Sequence, residues 1–410
     1  MFSAVHSDRS GRLVVAADYA AAMSDGSAVG PLVNAFPLPP GTEVVHLPGR
    51  AGIGLDRSGR ARELGQGRFG VAAILPTGFL RVGVPAYVDD LGTPPLRPRA
   101  YAAVGADPTG QLVVSAVALE RDAGVIDGRS TPDLIARITA TQRDHPSSRV
   151  LRQLARCAKD YRCRAATNAF LGRHDCALPI AAPRNERPPE VLVLHDDADA
   201  SPTEPAAFRP SPDEIAEAAS RHLEGGGTVV AFGRACEGEP LLLVRVVERA
   251  IVAIRERTRL GTIHLETNGS TPAALRRLCD AGLDSVAVRV VSARAETYEA
   301  IHRPEGFRFA DVRASIANAI AGRVSLALRV LTLPGLTDRA RELDALVGLA
   351  GDLPAGGALI LSDLAADPQR ALQLAPSAEV VVGMDRMLDR LRTDAAHLRI
   401  VALPRPLVRL

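Results

Sequence analysis

The chain has 410 residues, a length that predicts two or three domains at roughly 150 residues each. Its net charge of +2 and its 3% aromatic content argue against a nucleic-acid-binding protein. No apolar run approaches the ~18 residues of a membrane helix, and the first residues do not resemble a signal peptide, so no membrane association is expected. An odd number of cysteines, five, favours free thiols in a reducing compartment, and we expect a cytoplasmic protein.

Residues 1–125 are predicted to form a small β-rich domain. Short apolar runs alternate there with turns rich in glycine and proline, which is typical of an all-β module. No catalytic group of residues is evident in this part of the chain.

Residues 126–175 are predicted to form a helical connector. Ser130 or Thr131 is a suitable N-cap, and Pro132 suits the first turn of a helix. Further along, residues 151–168 are expected to form one helix.

Residues 176–402 alternate between apolar strands and amphipathic helices, and residues 403–410 form a short tail. Such alternation predicts an α/β domain with a parallel sheet covered by helices, and ligands of these sheets bind at the carboxyl ends of the strands. The predicted strands are 191–194, within a proline-rich linker over 179–212, and then 228–232, 262–266, 285–291, 324–331, 358–361 and 398–402.

Four polar loops follow these strands, and each is explained singly by turn and cap chemistry. In chain order they resemble the radical S-adenosylmethionine (radical SAM) superfamily. Residues 232–241 are similar to its Gly-Gly-Glu-Pro motif, and 265–269 to the next strand end. Residues 284–304 and 333–338 resemble the strand ends and loops that follow. The resemblance implies a (β/α)6 partial barrel, preceded here by the β-rich domain and the helical connector.

The resemblance also implies where S-adenosylmethionine would bind. Glu239 matches the acid that meets the amine of the cofactor, whereas Glu237 stands where the family usually has glycine. The residues that match cofactor contacts, or lie in the matching motifs, are Glu237, Gly238, Glu239, Thr267, Asn268, Arg289 and Ser292.

The chain departs from the superfamily at its iron–sulfur motif. The family holds a [4Fe–4S] cluster through Cys-x-x-x-Cys-x-x-Cys after its first strand, which the resemblance matches to residues 177–182. This spacing of cysteines occurs nowhere in the chain. The matching positions are Arg184, Pro188 and Val191, none of which ligates iron. We therefore expect that cluster and radical chemistry have been lost. The chain would be a pseudoenzyme that binds a small molecule at the barrel mouth, or a scaffold for a protein partner such as a cluster-bearing relative.

One alternative is an active radical enzyme whose cluster uses Cys157, Cys163 and Cys176. On a single helix over 151–168, the first two would lie about 120° apart around the axis. Cys176 would lie beyond Gly172, outside that helix. This geometry favours three packed thiols over three ligands.

Another alternative is a cluster-free enzyme that uses the barrel mouth for a different small molecule. Glu237 and Glu239 would then act as acid and base.

Other candidates are interpreted as structural. His195–Asp199 is a metal-like group in a proline-rich segment, and we interpret it as a solvated loop. His174 and Cys176 are too close in sequence to face each other as a catalytic pair, and Cys236 is as well explained by packing.

Two histidines complete the candidates. His264 is predicted to be a core histidine with its hydrogen bonds satisfied, whereas His302 and Arg303 could line a substrate opening. Lys159 is the only lysine, so an arginine at any one position carries little functional information by itself.

Overall fold

The structure, a computed structural model, describes residues 2–120, 131–187, 206–234 and 237–403. The predicted strand over 191–194, the group at His195–Asp199 and Cys236 lie outside these residues. Within the described ranges, no helix is both long enough and apolar enough to cross a membrane.

The N-terminal part is a mainly antiparallel assembly of short strands, as the alternation of apolar runs and turns predicts. The strands of this assembly are β1 (Ser3–Ser7), β2 (Leu13–Ser24), β3 (Val29–Pro31), β4 (Ala35–Pro37), β5 (Glu43–Leu55), β6 (Ala61–Glu63), β7 (Phe69–Ile74), β8 (Phe79–Arg81), β9 (Val84–Pro85), β10 (Tyr87–Asp89), β11 (Tyr101–Ala106) and β12 (Leu112–Ala118). The main path of the sheet has the order β10-β5-β2-β1-β7-β11-β12-β4.

Three helices follow: α1 (Pro132–Asp144), α2 (Arg149–Asp160) and α3 (Arg164–Leu171). The prediction of Thr131 as N-cap is confirmed, because its side chain accepts a hydrogen bond from Leu134 N.

The prediction of one helix over 151–168 is wrong. Arg162 adopts a left-handed φ of 51°, and Cys163 N donates to Cys157 O at 3.0 Å, which closes the end of α2. Cys163 is then the N-cap of α3, so Cys157 and Cys163 do not share a helix.

The C-terminal part is a parallel sheet of seven strands whose spatial order is their order in the chain. The strands are β13 (Asp175–Ala177), β14 (Val229–Phe232), β15 (Thr262–Thr267), β16 (Ser285–Val290), β17 (Ser325–Thr332), β18 (Ala358–Asp363) and β19 (Arg399–Val401). The helices are α4 (Pro212–Glu224), α5 (Val244–Arg257), α6 (Pro272–Asp280), α7 (Ala295–His302), α8 (Phe309–Ala321), α9 (Ala340–Gly351), α10 (Pro368–Leu374) and α11 (Met384–Asp394), with a 3-10 turn over Pro240–Leu243 before α5. This is the expected α/β half-barrel.

The first parallel strand is shorter than predicted and lies earlier in the chain. It ends at Ala177, and Ala181 adopts a left-handed φ of 53°, which an extended strand does not allow. The stretch 178–182, predicted as strand, therefore belongs to a loop that leaves the sheet.

The two faces of the parallel sheet differ in character. Side chains that alternate with the inner positions, such as Leu265, Val286 and Leu328, are fully buried in the main hydrophobic core with the helices. The opposite, inner face carries small residues at Ala287 and Ala327 beside a set of charged side chains. This inner face and the strand ends above it form the region that a ligand of the barrel would meet.

The N-terminal sheet packs against the carboxyl ends of β17 and β18. Arg81 of β8 is completely buried and donates to Leu364 O at 2.7 Å and to Tyr101 O at 3.3 Å. Its Nε lies 3.8 Å from Asp363 Oδ1, at the end of β18. One side of the barrel mouth is thus bounded by the N-terminal part.

Candidate functional site: the mouth of the half-barrel

A loop over residues 178–187, here called the mouth loop, follows β13 at the carboxyl end of the sheet. Glu237 holds its first half: one carboxylate oxygen accepts hydrogen bonds from Ile180 N at 3.1 Å and from Ala181 N at 2.8 Å. The second bond fixes Ala181 in its left-handed conformation, which alanine rarely adopts. Burial raises the pKa of Glu237, and the backbone N–H groups act in the opposite direction.

Gly238 lets the mouth loop approach the motif directly. A Cβ on Gly238 would stand 2.1 Å from Ala182 O and 2.2 Å from Pro183 O. The next residue, Glu239, donates its backbone N–H to Pro183 O at 2.8 Å. Glycine is therefore required at 238 by the close backbone contact.

Glu239 is the centre of the strand-end motif and is only 3% exposed. Its carboxylate accepts hydrogen bonds from Thr267 Oγ1 at 2.5 Å, Asn268 N at 2.8 Å and Leu241 N at 3.0 Å. Burial raises its pKa to about 7, although these three donors favour the charged form. The structure thus brings together Glu239, Thr267 and Asn268, as the order of the motifs predicts.

The second half of the mouth loop reaches the next two strands. Asn268 Nδ2 donates to Asn185 Oδ1 at 2.9 Å. Glu186 forms a buried ion pair with Arg289 of β16, and its other oxygen lies 2.9 Å from His302 Nδ1. Burial opposes ionisation of Glu186, but Arg289 and His302 outweigh it and lower its pKa to about 2.

His302 has its ring stacked on Tyr298, with centroids 4.0 Å apart. It is fully buried at the end of α7, and Arg303 is the left-handed C-cap of that helix with φ 46°. The prediction that His302 lines an opening is wrong, because its Nδ1 partners Glu186 and its backbone carbonyl accepts from Arg187 N.

Ser292 is bonded elsewhere. Its hydroxyl donates to Glu342 of α9 at 2.5 Å and accepts from Arg294 N at 2.9 Å. Within the described chain, no hydrogen bond joins it to the group around Glu239. Six of the seven predicted cofactor-contact residues therefore lie around the mouth loop, and Ser292 lies in a separate hydrogen-bonded group.

A charged network crosses the inner face and was not predicted. Arg234, just beyond β14, forms ion pairs with Asp175 of β13 and Glu266 of β15. Arg329 of β17 donates through Nη1 to both oxygens of Glu266, at 3.0 and 3.1 Å. Burial opposes ionisation of Asp175 and Glu266, but neighbouring guanidiniums prevail and lower both pKa values.

The remaining candidates take structural positions. Cys176 is fully buried in the core, and burial raises the pKa of its thiol, so His174 and Cys176 do not act as a nucleophile pair. His264 Nδ1 is 2.7 Å from Ser285 Oγ, but no described group bonds its buried Nε2, so the prediction of a satisfied histidine is only half right. In the ranges that the structure describes, no three His, Cys, Asp or Glu side chains are grouped as metal ligands.

Comparison with known proteins bears on this arrangement. Residues 190–347 match the family model of the radical SAM superfamily. No curated protein matches the chain.

Solved structures to which the chain shows similarity include HydG, a maturase of the [FeFe]-hydrogenase, at 12% identity and a TM-score of 0.41. That similarity covers 66% of this chain and 63% of HydG, so the chain spans less than two thirds of its length. A radical SAM methyltransferase from Sphaerobacter thermophilus shows 15% identity and a TM-score of 0.36, covering 55% of this chain and 64% of its own. Methylornithine synthase (PylB) shows 14% identity and a TM-score of 0.36, covering 58% of this chain and 75% of its own.

The family match spans β14 to β17, the strands that carry the polar motifs. It agrees with the seven parallel strands and with the group around Glu239 at their carboxyl ends. The similarity of this chain to the radical SAM superfamily therefore lies in its α/β part, over residues 190–347.

Proposed function

We propose that this protein is a radical SAM-like pseudoenzyme: it binds a small molecule or a protein partner through its half-barrel and carries out no reductive cleavage of S-adenosylmethionine. The observation that supports this proposal is the mouth loop. It follows the first strand, contains no cysteine, and uses its own polar groups on Glu239, Asn268 and Arg289.

The residues present do not fit a [4Fe–4S] cluster of the family's kind. Such a cluster needs thiolates at set spacings. The mouth loop offers Arg184 at the first position, and Pro188 and Val191, outside the described residues, are the sequence matches of the other two. Cys157, Cys163 and Cys176 lie on α2, at the start of α3 and on β13. They are not grouped as ligands.

The residues around Glu239 fit the amine of S-adenosylmethionine only in part. A carboxylate offers about four acceptor sites, and three are used by protein donors. One site remains for an ammonium group. A residual, weak affinity for S-adenosylmethionine is consistent with this, and the superfamily makes it the first ligand to test.

A second candidate function is a cluster-free enzyme that uses Glu239 as acid or base. The observation that favours it is the pKa of about 7, since a general acid–base group works best near the ambient pH. A ligand that raises the melting temperature of the wild-type protein but not of Glu239→Gln would support this candidate.

The partner and the location remain predictions. A cluster-bearing relative would supply the redox chemistry that this chain lacks in our proposal. A cytoplasmic location would provide the reducing conditions that its free cysteines require.

The test is iron and sulfide analysis of the full chain after anaerobic reconstitution, followed by addition of S-adenosylmethionine and a reductant. We expect iron well below stoichiometry and no cleavage. The variant with Cys157, Cys163 and Cys176 all changed to Ala should give the same iron content. About four iron atoms per chain, with cleavage on reduction, would overturn the proposal. Loss of that iron in the triple variant would establish the alternative cluster.

A further inference from the structure

The inner face of the parallel sheet carries an unbalanced charge network. It runs in the order Arg164, Asp175, Arg234, Glu266 and Arg329, from α3 across β13 and β15 to β17. Three guanidiniums thus share two carboxylates. The nearby Arg289 is matched by Glu186, so it adds no net charge. Within the described chain, one positive charge is left over.

An unmatched charge in this position is costly, since partly buried charges need a partner. The side chains of Arg164, Arg234 and Arg329 are only 25%, 11% and 21% exposed. A network with a purely structural role would gain from neutrality. The excess charge therefore points to an anion that is not part of the described chain.

The two end residues of the network, Arg329 and Arg164, have N–H groups from which no described group accepts a hydrogen bond. Arg329 bonds Glu266 through Nη1, and no described group accepts from its Nε or Nη2. Arg164 Nη1 stands 3.5 Å from Asp175 Oδ1 but makes no hydrogen bond to a described atom. Arg164 and Arg329 are the two ends of a chain of ion pairs that passes through Asp175, Arg234 and Glu266.

His264 provides an independent observation. It is 2% exposed, its Nδ1 is bonded to Ser285, and its buried Nε2 meets no described partner. His264 lies two residues before Glu266 on β15, so the two side chains share the inner face of that strand. A buried polar atom without a protein partner indicates a missing ligand or water.

Small side chains precede the arginines on the inner face of the sheet. Arg289 and Arg329 are paired residues on neighbouring parallel strands, roughly 4.8 Å apart. The preceding inward position on each strand is an alanine, Ala287 or Ala327, and these are paired in the same way.

We infer that the inner face of the sheet binds a small anion of the carboxylate or phosphate class, held by the Nε and Nη2 donors of Arg329. Planar guanidiniums suit both groups, because they present two parallel N–H donors to two oxygens. This inference deepens the proposed binding role, on which it rests, by naming the chemistry of the ligand. The anion site lies on the arginine network and does not use Glu239.

The test uses the full chain and two probes, inorganic phosphate and citrate, with chloride at matched ionic strength as the reference. Isothermal titration and thermal unfolding are recorded for the wild type and for Arg329→Gln. We expect saturable binding and a raised melting temperature with at least one probe. In Arg329→Gln, affinity should fall roughly tenfold to a hundredfold, as for the loss of a hydrogen bond to a charged group.

The matched control is Arg313→Gln, which removes an exposed arginine paired with Asp352 and should leave affinity unchanged. If Arg329→Gln does not fold, Arg329→Lys keeps the charge, loses the paired donors and should still weaken binding. The relative responses to phosphate and citrate identify the anion class.

Absence of any response beyond chloride in the wild type would overturn the inference, as would equal affinity in the Arg329 variant. Iron analysis of the same samples tests the proposed function separately. If iron analysis finds a cluster and the chain also binds the anion, only the pseudoenzyme proposal is overturned. If the chain is iron-free and binds no anion, only the anion site is overturned.

Discussion

Glu186 of the mouth loop and Arg289 of β16 form a buried ion pair, although 103 positions separate them in the chain. The side chain of Glu186 is 4% exposed and that of Arg289 is 14% exposed. The pair therefore fixes the second half of the mouth loop to the fourth strand of the parallel sheet. Its removal should loosen the loop without altering the sheet itself.

Glu186→Gln tests this fixation. Breaking a buried ion pair by removing one partner costs about 3 to 5 kcal/mol. Glutamine keeps an oxygen for His302, so we expect a loss near the lower end, about 3 kcal/mol, in urea unfolding. The control Arg313→Gln breaks an exposed pair and should cost at most about 1 kcal/mol. Equal losses in the two variants would contradict the role given to Glu186.

Gly238→Ala tests the close contact between the motif and the mouth loop. The new Cβ would meet two backbone carbonyl oxygens at 2.1 and 2.2 Å, and backbone cannot rotate away as a side chain does. We expect a loss of about 1 to 3 kcal/mol, with faster proteolysis of the loop.

Gly348→Ala is the matched control for that change. Gly348 lies within α9 and has open space around it, so alanine should raise stability by up to about 1 kcal/mol through helix propensity. If Gly238→Ala behaves like this control, the mouth loop does not pack on Gly238 as described.

The sequence predicted correctly which of the strand-end motifs lie next to each other. Order along the chain predicted that Glu239 and Asn268 meet, because carboxyl ends of neighbouring parallel strands share one edge. It could not predict that Ser292 bonds Glu342, since this depends on how α9 packs beside the strand end.

The charged network escaped prediction for a different reason. With a single lysine in the chain, an arginine at any one position carries little functional information, and this holds for Arg234 within its motif. Nothing in the sequence singles out Glu186 from the other charged residues of its loop. Pairings over such separations depend on tertiary packing and have no local pattern. Strand alternation did offer a usable signal: Glu266, Arg289 and Arg329 are charged residues at inward positions of strands rich in apolar residues.

Arg81 and Asp363 should couple the N-terminal sheet to the half-barrel. Arg81→Met leaves Asp363 buried beside an apolar side chain, and we expect a loss of about 3 to 5 kcal/mol. The double variant Arg81→Met/Asp363→Asn removes both charges, and asparagine keeps an acceptor for Arg81 N, the backbone group that Asp363 accepts at 3.1 Å. Urea unfolding should show part of the stability restored. A double variant no more stable than Arg81→Met would show that the charge of Asp363 is not the source of the loss.

Glu239 should give the protein a recognisable dependence of stability on pH. Its pKa is about 7 in the folded protein, against 4.5 for an ordinary glutamate, so the folded state holds more protons between these values. The contribution of Glu239 is therefore fully present below pH 4.5 and is lost as the pH rises through 7.

The comparison of wild type with Glu239→Gln isolates this contribution. Asp338 and Asp363 also have raised pKa values, about 7 and about 6, but they titrate in both proteins. Glu186, with its pKa of about 2, acts at lower pH and with the opposite sign. The free energy of unfolding of the wild type minus that of Glu239→Gln should fall between pH 5 and pH 8 by a few kcal/mol at most, since one pKa unit is worth about 1.4 kcal/mol. A difference that stays constant over this range would mean that Glu239 is already ionised at pH 5. The acid–base candidate would then lose the observation that favours it.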